Sequence, residues 1–243
     1  MKQRNLVILT GAGISAESGI STFRDAGGLW ETHRFEDLAS PEGFARDPVL
    51  VHRFYNLRRA QLAVVRPNAA HVALAALERA WVGPWVSQGD FLLVTQNVDD
   101  LHERAGSQAL LHMHGELRKL RCGACGGLSD WEADAGVDTA CPACARAGAM
   151  RPDIVWFGER PYHIPRIEAA LAGADIFCAI GTSGVVYPAA GFAAAAGCNR
   201  RGCELYEINP APAGRGLYGH VIAAPATLGV PELLRRLGIE GET

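Results

Sequence analysis

The chain has 243 residues, 23 Lys plus Arg against 26 Asp plus Glu for a formal charge of −3, an apolar fraction of 49% and seven cysteines. One large domain, or one with a small companion, buries roughly 70–75% of its unfolded surface at this length, so no disulfide scaffold is needed, and an odd cysteine count argues against one. A near-neutral, slightly acidic balance gives no reason to expect binding to a phosphate backbone.

In chain order, the apolar run at 6–9 is too short for a signal peptide, so no export is expected and the protein reads as cytoplasmic. Residues 5–10 form a strand that feeds the turn Gly11-Ala12-Gly13-Ile14-Ser15-Ala16 and a helix start. Residues 31–67 look helical but follow no strand. The helical pattern of 69–82, carried by Ala70, Leu74, Leu77 and Trp81, precedes a strand at 91–95. Residues 118–152 are cysteine-punctuated and rich in Gly and Ala. Helix 165–172 precedes strand 174–180, which closes on Gly181-Thr182-Ser183, and helix 189–197 precedes strand 204–209. A helix at 231–237 follows. The uncharged stretch 176–199 is long enough to span a bilayer, but its Gly and Pro residues make it strand, loop and Ala-rich helix, so no membrane segment is expected.

Strands alternating with helices, each strand ending in small polar residues, predict an α/β fold with a doubly wound parallel sheet and ligands beyond the carboxyl ends of the strands. The segments that break the rhythm, 31–67 and 118–152, are expected to form a second, smaller domain, helical and zinc-binding. That leaves 1–30, 68–117 and 153–243 for the large domain.

Cys122-x2-Cys125-x15-Cys141-x2-Cys144 presents four thiolates as two knuckles, the pattern of a closed tetrahedral zinc site with a structural role. A nucleic-acid-binding zinc ribbon is disfavoured, because no Lys or Arg lies between Cys122 and Cys144 while Asp130, Glu132, Asp134 and Asp138 do. Gly11-Ala12-Gly13-Ile14-Ser15-Ala16 satisfies a loose phosphate-turn pattern. The acidic residue of a dehydrogenase, at the end of a second strand some twenty positions on, is missing, so hydride transfer is disfavoured and a dinucleotide ligand is not. Gln96-Asn97-Val98-Asp99 places amides and a carboxylate where such a ligand would lie, although a capped turn explains them equally well. Leu111-His112-Met113-His114-Gly115 alternates apolar and imidazole residues, and His114 is a candidate general base. Tyr55 and Arg58 lie one helical turn apart, with Val51 and Leu62 on their face. Arg58 either pairs with an internal carboxylate, reaches solvent, or recognises a substrate acid group.

Taken together, Gly11 to Ile20, Thr22-Phe23-Arg24, Thr95 to Asp99, His114-Gly115, the four cysteines, Val155-Trp156-Phe157-Gly158-Glu159 and Gly181-Thr182-Ser183 resemble the sirtuin family in order and spacing along the whole chain. With Tyr55-x-x-Arg58, the resemblance is to the bacterial class III members. It implies an NAD-dependent protein-lysine deacylase (deacetylase, desuccinylase, demalonylase) with a Rossmann-like large domain and one structural zinc. It places NAD against Gly11, Ala12, Gly13, Ser15, Ala16, Phe23, Arg24, Trp30, Gln96, Asn97, Val98, Asp99, Gly181, Thr182, Ser183, Asn209, Pro210, Ala211 and Ala226. The acyl-lysine peptide would lie as an added strand against Val155, Trp156, Phe157, Gly158 and Val185, with Tyr55 and Arg58 in the acyl pocket. The acyl oxygen would displace nicotinamide from the ribose, and His114, with Asn97 and Asp99 beside it, would act as base on the ribose hydroxyls, releasing free lysine and O-acyl-ADP-ribose. A neutral imidazole is needed, so activity is expected to fall below about pH 6.5. Ser21 and Asp100 replace the family's usual Pro and Gly. The expected partners are acylated lysines of proteins, with no nucleic acid, no membrane and a monomeric chain. The rival readings are a non-catalytic NAD- or ADP-ribose-binding zinc module and a mono-ADP-ribosyltransferase.

Overall fold

A computed structural model describes residues 3–20, 35–83, 88–200, 202–212 and 216–239. The strands β1 (Leu6–Thr10), β2 (Phe91–Thr95), β3 (Leu110–His112), β7 (Ile176–Ile180), β8 (Glu204–Ile208) and β9 (His220–Ile222) form a six-stranded sheet in the order β3-β2-β1-β7-β8-β9, with every pairing parallel. β1, β2 and β7 are buried at every position. A parallel strand covered on both faces needs apolar side chains on both, which is why these strands read as continuous apolar runs.

Leu6 and Ile8 of β1 pack with Leu74, Leu77 and Trp81 of α5 (Ala69–Trp81) and with Val230 and Leu233 of α9 (Ala226–Arg236). Val7 and Leu9 point the other way, onto Ile167 and Leu171 of α7 (Ile164–Gly173) and Phe192 and Ala196 of α8 (Phe192–Gly197). The sheet is therefore wound on both sides. The chain leaves β1 for β2 on one side and later returns to β7 on the other, which puts the topological switch point, where such sheets bind ligands, between the ends of β1 and β7.

The expected helical stretch contains α2 (Phe35–Leu38), α3 (Pro41–Arg46) and α4 (Pro48–Val64). Ser40 Oγ accepts from the Gly43 N–H at 2.9 Å and Asp47 Oδ1 from the Leu50 N–H at 2.9 Å, each followed by proline at the first helical position, where no N–H is needed. The cysteine-bearing insertion forms an antiparallel sheet of β4 (Gly115–Cys122), β5 (Leu128–Asp130) and β6 (Met150–Ile154), in the order β5-β4-β6. It is fastened to α4 by Asn56, whose amide donates to Ala135 O at 2.8 Å and accepts from Ala135 N–H at 3.0 Å, and by Arg59 Nε, which donates to Leu117 O at 2.9 Å.

The short α1 (Ala12–Ala16) and α6 (Leu101–Ala105) are the remaining α-helices among the described residues. α9 begins five residues before the expected 231, so Pro231 lies inside it. Its start is fixed from outside, because Glu17 accepts from Thr227 N–H at 3.1 Å and from Thr227 Oγ1 at 2.7 Å. Among the described residues, no helix is long and apolar enough to cross a membrane.

Candidate active site and cysteine cluster

The end of β1 meets the end of β7 through glycines. Gly11 N–H donates to Ile180 O at 3.0 Å and Gly13 N–H to Gly181 O at 2.9 Å. A Cβ on Gly13 would stand 2.7 Å from Gly181 Cα, and Gly181, at φ +59, would set its own Cβ 2.6 Å from Ile14 N. The glycine turn thus lets two loops touch at the switch point.

Buried polar side chains converge behind this contact. Ser15 Oγ donates to Asp99 Oδ2 at 3.0 Å and accepts from Asn97 Nδ2 at 3.0 Å. Thr10 Oγ1 donates to Thr95 Oγ1 at 2.9 Å, which in turn accepts the Asn97 N–H at 3.0 Å. Gln96 Nε2 reaches Thr182 Oγ1 at 3.0 Å, and Asn209 Nδ2 donates to Thr182 O at 2.8 Å, so Gln96, Thr182 and Asn209 line one rim. Burial pushes the Asp99 carboxyl up, against the Leu101 N–H and Ser15 hydrogen bonds that favour its ionised form.

The Nδ1–H of His114 donates to Gln96 O at 3.0 Å. That fixes the tautomer and leaves Nε2 as the acceptor. Burial holds the His114 pKa below 6.5, so the neutral form prevails at neutral pH. Two residues earlier, His112 turns to the same loop, with Nδ1 3.0 Å from Asn97 O.

Sequence reasoning did not single out Asn68, His71 or His102. Asn68 caps α5, with its Nδ2 donating to Ile14 O at 2.8 Å, and His71 Nε2 stands 3.5 Å from Ser15 Oγ. His102 Nε2 lies 3.0 Å from Thr10 Oγ1. The one available signal was Asn68 three residues ahead of His71, a helix-start spacing.

Tyr55 and Arg58 share a face of α4, as their spacing required. The Tyr55 hydroxyl accepts from Trp156 Nε1 at 2.9 Å, and burial pushes its pKa up to about 12, so its proton stays available to donate. The Arg58 guanidinium lies 5.8 Å from the Phe54 ring centre and has no hydrogen-bond partner among the described residues. Burial lowers its pKa, while Tyr55 and Asp99 oppose the shift.

Trp156 is buried beneath Arg151, whose guanidinium is 3.5 Å from its ring centre and paired with Glu159 at 2.7 Å. Phe157, Val185, Val186 and Tyr187 are exposed, and Gly158 has φ +88. Val155 N–H donates to His114 O at 2.9 Å. Ala12 and Val98 are half-buried, Ala16, Pro210 and Ala211 are exposed, and Ala226 is buried in the first turn of α9. Ser183 is half-buried. Phe23, Arg24, Trp30 and Ser21 lie outside the described residues. Asp100 sits at φ −102, where no glycine is needed, and pairs with Arg118 at 2.7 Å.

The Sir2 family model matches residues 11–188. The chain belongs to the Sir2 family. An NAD-dependent protein deacylase of Bdellovibrio bacteriovorus is 62% identical over 78% of the chain and 79% of that protein. An NAD-dependent protein deacylase of Rhodopirellula baltica is 51% identical over 95% of the chain and 97% of that protein. A crystal structure of a Sir2 homologue in complex with NAD superposes with a TM-score of 0.85 at 39% identity, covering 97% of this chain and 90% of that one.

The four cysteine sulfurs of this Sir2 chain lie within 4.8 Å of one another, with Cys122 Sγ 3.8 Å from Cys144 Sγ and Cys125 Sγ 3.7 Å from Cys141 Sγ. A tetrahedron with metal–sulfur bonds of about 2.3 Å has edges of about 3.8 Å, so the set fits zinc. All four positions are sulfur, which leaves none for substrate and makes the site structural.

Proposed function

We propose that this Sir2-family protein is an NAD-dependent protein-lysine deacylase that removes acetyl, succinyl or malonyl groups. The observation that carries the reading is the convergence of Gln96, Asn97, Asp99, Ser15 and His114 at the sheet's switch point, with His114 Nε2 free to accept. Bound NAD supplies an electrophilic ribose carbon with nicotinamide as its leaving group. The chain's residues do the rest. Gly11, Ala12, Gly13, Ser15 and Ala16 hold the phosphates and nearby ribose, joined by Phe23, Arg24 and Trp30. Gln96, Asn97, Val98 and Asp99 orient the nicotinamide half. Gly181, Thr182, Ser183, Asn209, Pro210, Ala211 and Ala226 hold the adenosine half. His114 Nε2 takes the proton from a ribose hydroxyl, and neutrality at that nitrogen is what burial secures.

The acyl-lysine peptide adds as a strand between Val155, Trp156, Phe157 and Gly158 on one side and Val185 on the other, burying the exposed apolar side chains found there. Arg58, a guanidinium with no hydrogen-bond partner among the described residues, and the Tyr55 hydroxyl would receive an acid-bearing acyl group. Cys122, Cys125, Cys141 and Cys144 would hold one zinc per chain. Residues 1–30, 68–117 and 153–243 would act as the NAD-binding domain, with 31–67 and 118–152 as the small one. We take the protein to be cytoplasmic, monomeric and without affinity for nucleic acid.

A panel of acyl-lysine peptides assayed for NAD-dependent nicotinamide release tests the reading. Release coupled to stoichiometric free lysine is expected. Tight NAD binding with no release would favour a non-catalytic module, and mass added to an acceptor protein would favour ADP-ribosyl transfer.

A further inference from the structure

Two histidines face the 96–97 loop, and the reading above uses only His114. The other, His112, is 7% exposed at the end of β3 and is bonded at both ring nitrogens to groups that can only accept. Its Nδ1 is 3.0 Å from the Asn97 carbonyl and its Nε2 is 2.7 Å from Glu103 Oε1 on α6. A neutral imidazole has one N–H and can serve one of them; serving both requires the imidazolium. Glu103, His112 and Glu116 also stand close enough to suggest a cation site. With both His112 nitrogens donating, no lone pair is left for a metal, and Lys119 Nζ already sits 2.8 Å from Glu116 Oε1.

We propose that His112, protonated and paired with Glu103, is a positioning residue that pins the Asn97 carbonyl and so holds the Asn97–Ser15–Asp99 group in its cosubstrate-binding arrangement. The identity of that cosubstrate rests on the deacylase reading above. The Asn97 side chain donates to Ser15 Oγ, which donates to Asp99, so a displacement of the Asn97 backbone passes into all three.

The charges around His112 come from four places: Glu103 and His102 on α6, Glu116 with Lys119 on β4, Asp99 at the β2–α6 junction, and His163 ahead of α7. Burial pulls the His112 pKa down, but the hydrogen bond and charge of Glu103, with Glu116 and the Asn97 carbonyl, bring it above 6.5. The same contact and charge draw Glu103 below 4.5 despite its burial. A raised histidine pKa gives a contribution that is complete below 6.5 and lost as pH rises through the folded value. A lowered glutamate pKa gives one that is lost as pH falls through its folded value. The pin therefore holds between those two limits and loosens on the alkaline side.

The test uses the full chain, its Glu103→Gln and His112→Gln variants, and three readouts across pH 6–9.5: the His112 imidazole titration by NMR, NAD affinity by calorimetry, and kcat/KM for one acylated peptide. In the parent, His112 should titrate above 6.5, and NAD affinity should fall as pH rises through the same value. Glu103→Gln should lower the His112 pKa and move that alkaline fall down by on the order of one pH unit, about fivefold in affinity at the parent's midpoint and approaching about tenfold well above it. The Glu103 side chain is 40% exposed, so this variant should stay folded. His112→Gln keeps an N–H for the Asn97 carbonyl but cannot titrate, and should flatten the alkaline limb. A parent His112 that titrates at or below 6.5, or a Glu103→Gln profile that superimposes on the parent or drops equally at every pH, would overturn the proposal. If NAD affinity shows the shift while no peptide yields nicotinamide, the deacylase reading fails and the His112 proposal stands. Nicotinamide release with an unshifted profile gives the reverse.

Discussion

Two side chains carry opposite instructions from the same physical cause. Burial lowers the His114 pKa and so preserves its neutral, proton-accepting form; burial also lowers the Arg58 pKa but leaves a guanidinium that has no hydrogen-bond partner among the described residues. For His114 the acid limb of kcat/KM should have its midpoint below 6.5, because the imidazole stays neutral to lower pH than a free one. A pH–rate profile from 4.5 to 8 checks this, and His114→Ala should reduce kcat/KM by roughly 10²–10⁴-fold. For Arg58, a half-buried cation with no ion-pair contact among the described residues, a ligand that supplies a carboxylate relieves the cost of its desolvation. Arg58→Met should therefore lower desuccinylation of a given peptide by roughly 2–4 kcal/mol in transition-state binding while leaving deacetylation of the same peptide nearly unchanged. Equal losses in both assays would mean that Arg58 does not read the acid. Tyr55-x-x-Arg58 was legible in the sequence because one helical turn separates the two residues. The pairing of Ser15 with Asp99, 84 positions apart, was not, since nothing local specifies which strand ends meet.

At the scale of elements, the central strands and long helices were readable because β1 and β2 are apolar up to a closing threonine, β7 is apolar throughout and α5 has a clear buried face. β5 and β9 have only three residues each and carry no periodicity that could be read, whereas β3, equally short, overlaps the alternation of apolar and imidazole residues at 111–115. They exist because a longer neighbour offers an edge. The start of α9 was equally hidden: its partner is Glu17, at the far end of the chain, while proline at 231 gave a misleading local cue. The glycine contact at the switch point was half legible. Its role as a turn followed from the motif, but its fit against Gly181 required the fold. Gly13→Ala places a Cβ 2.7 Å from Gly181 Cα, a backbone atom with nowhere to go. The loops must separate, and the expected loss of stability is about 1–3 kcal/mol together with a marked loss of NAD affinity. A denaturant melt paired with NAD titration would show both. Unchanged affinity in a folded variant would mean that the contact does not shape the site.

Over the whole molecule, the polar interior at the switch point makes acid the condition to watch. Burial lowers the pKa of His71 to about 4 and that of His102 well below 6.5. A depressed histidine pKa means that the unfolded chain binds the proton first, so the contribution is intact above 6.5 and is lost as pH falls through the folded value. At about 1.4 kcal/mol per unit, His71 alone removes on the order of 3 kcal/mol of stability by pH 4. Urea melts between pH 7 and 4.5 should show a steady fall in midpoint, and His71→Gln should flatten it.

The cysteine cluster sets the remaining limit on integrity. Its small core of Leu120, Cys122, Ala135, Cys141 and Met150 includes two of the four ligands, so metal and packing depend on each other. Such a core is too small to hold a three-stranded sheet by apolar burial alone. Removing zinc with a strong chelator should release about one equivalent of metal per chain and unravel β5 and the loops between the cysteine pairs. The disturbance has a direct route to the site. Asn56 and Arg59 of α4 hold the 133–135 loop and Leu117, and α4 also carries Tyr55 and Arg58. Chelation should therefore impair turnover of acid-bearing acyl groups before it loosens the parallel sheet, whose core shares no residue with the cluster. Hydrogen exchange would resolve the order, with fast exchange in β4 to β6 and retained protection in β1, β2 and β7. A metal-free chain with full activity and unchanged protection in the antiparallel sheet would refute the structural role of the zinc.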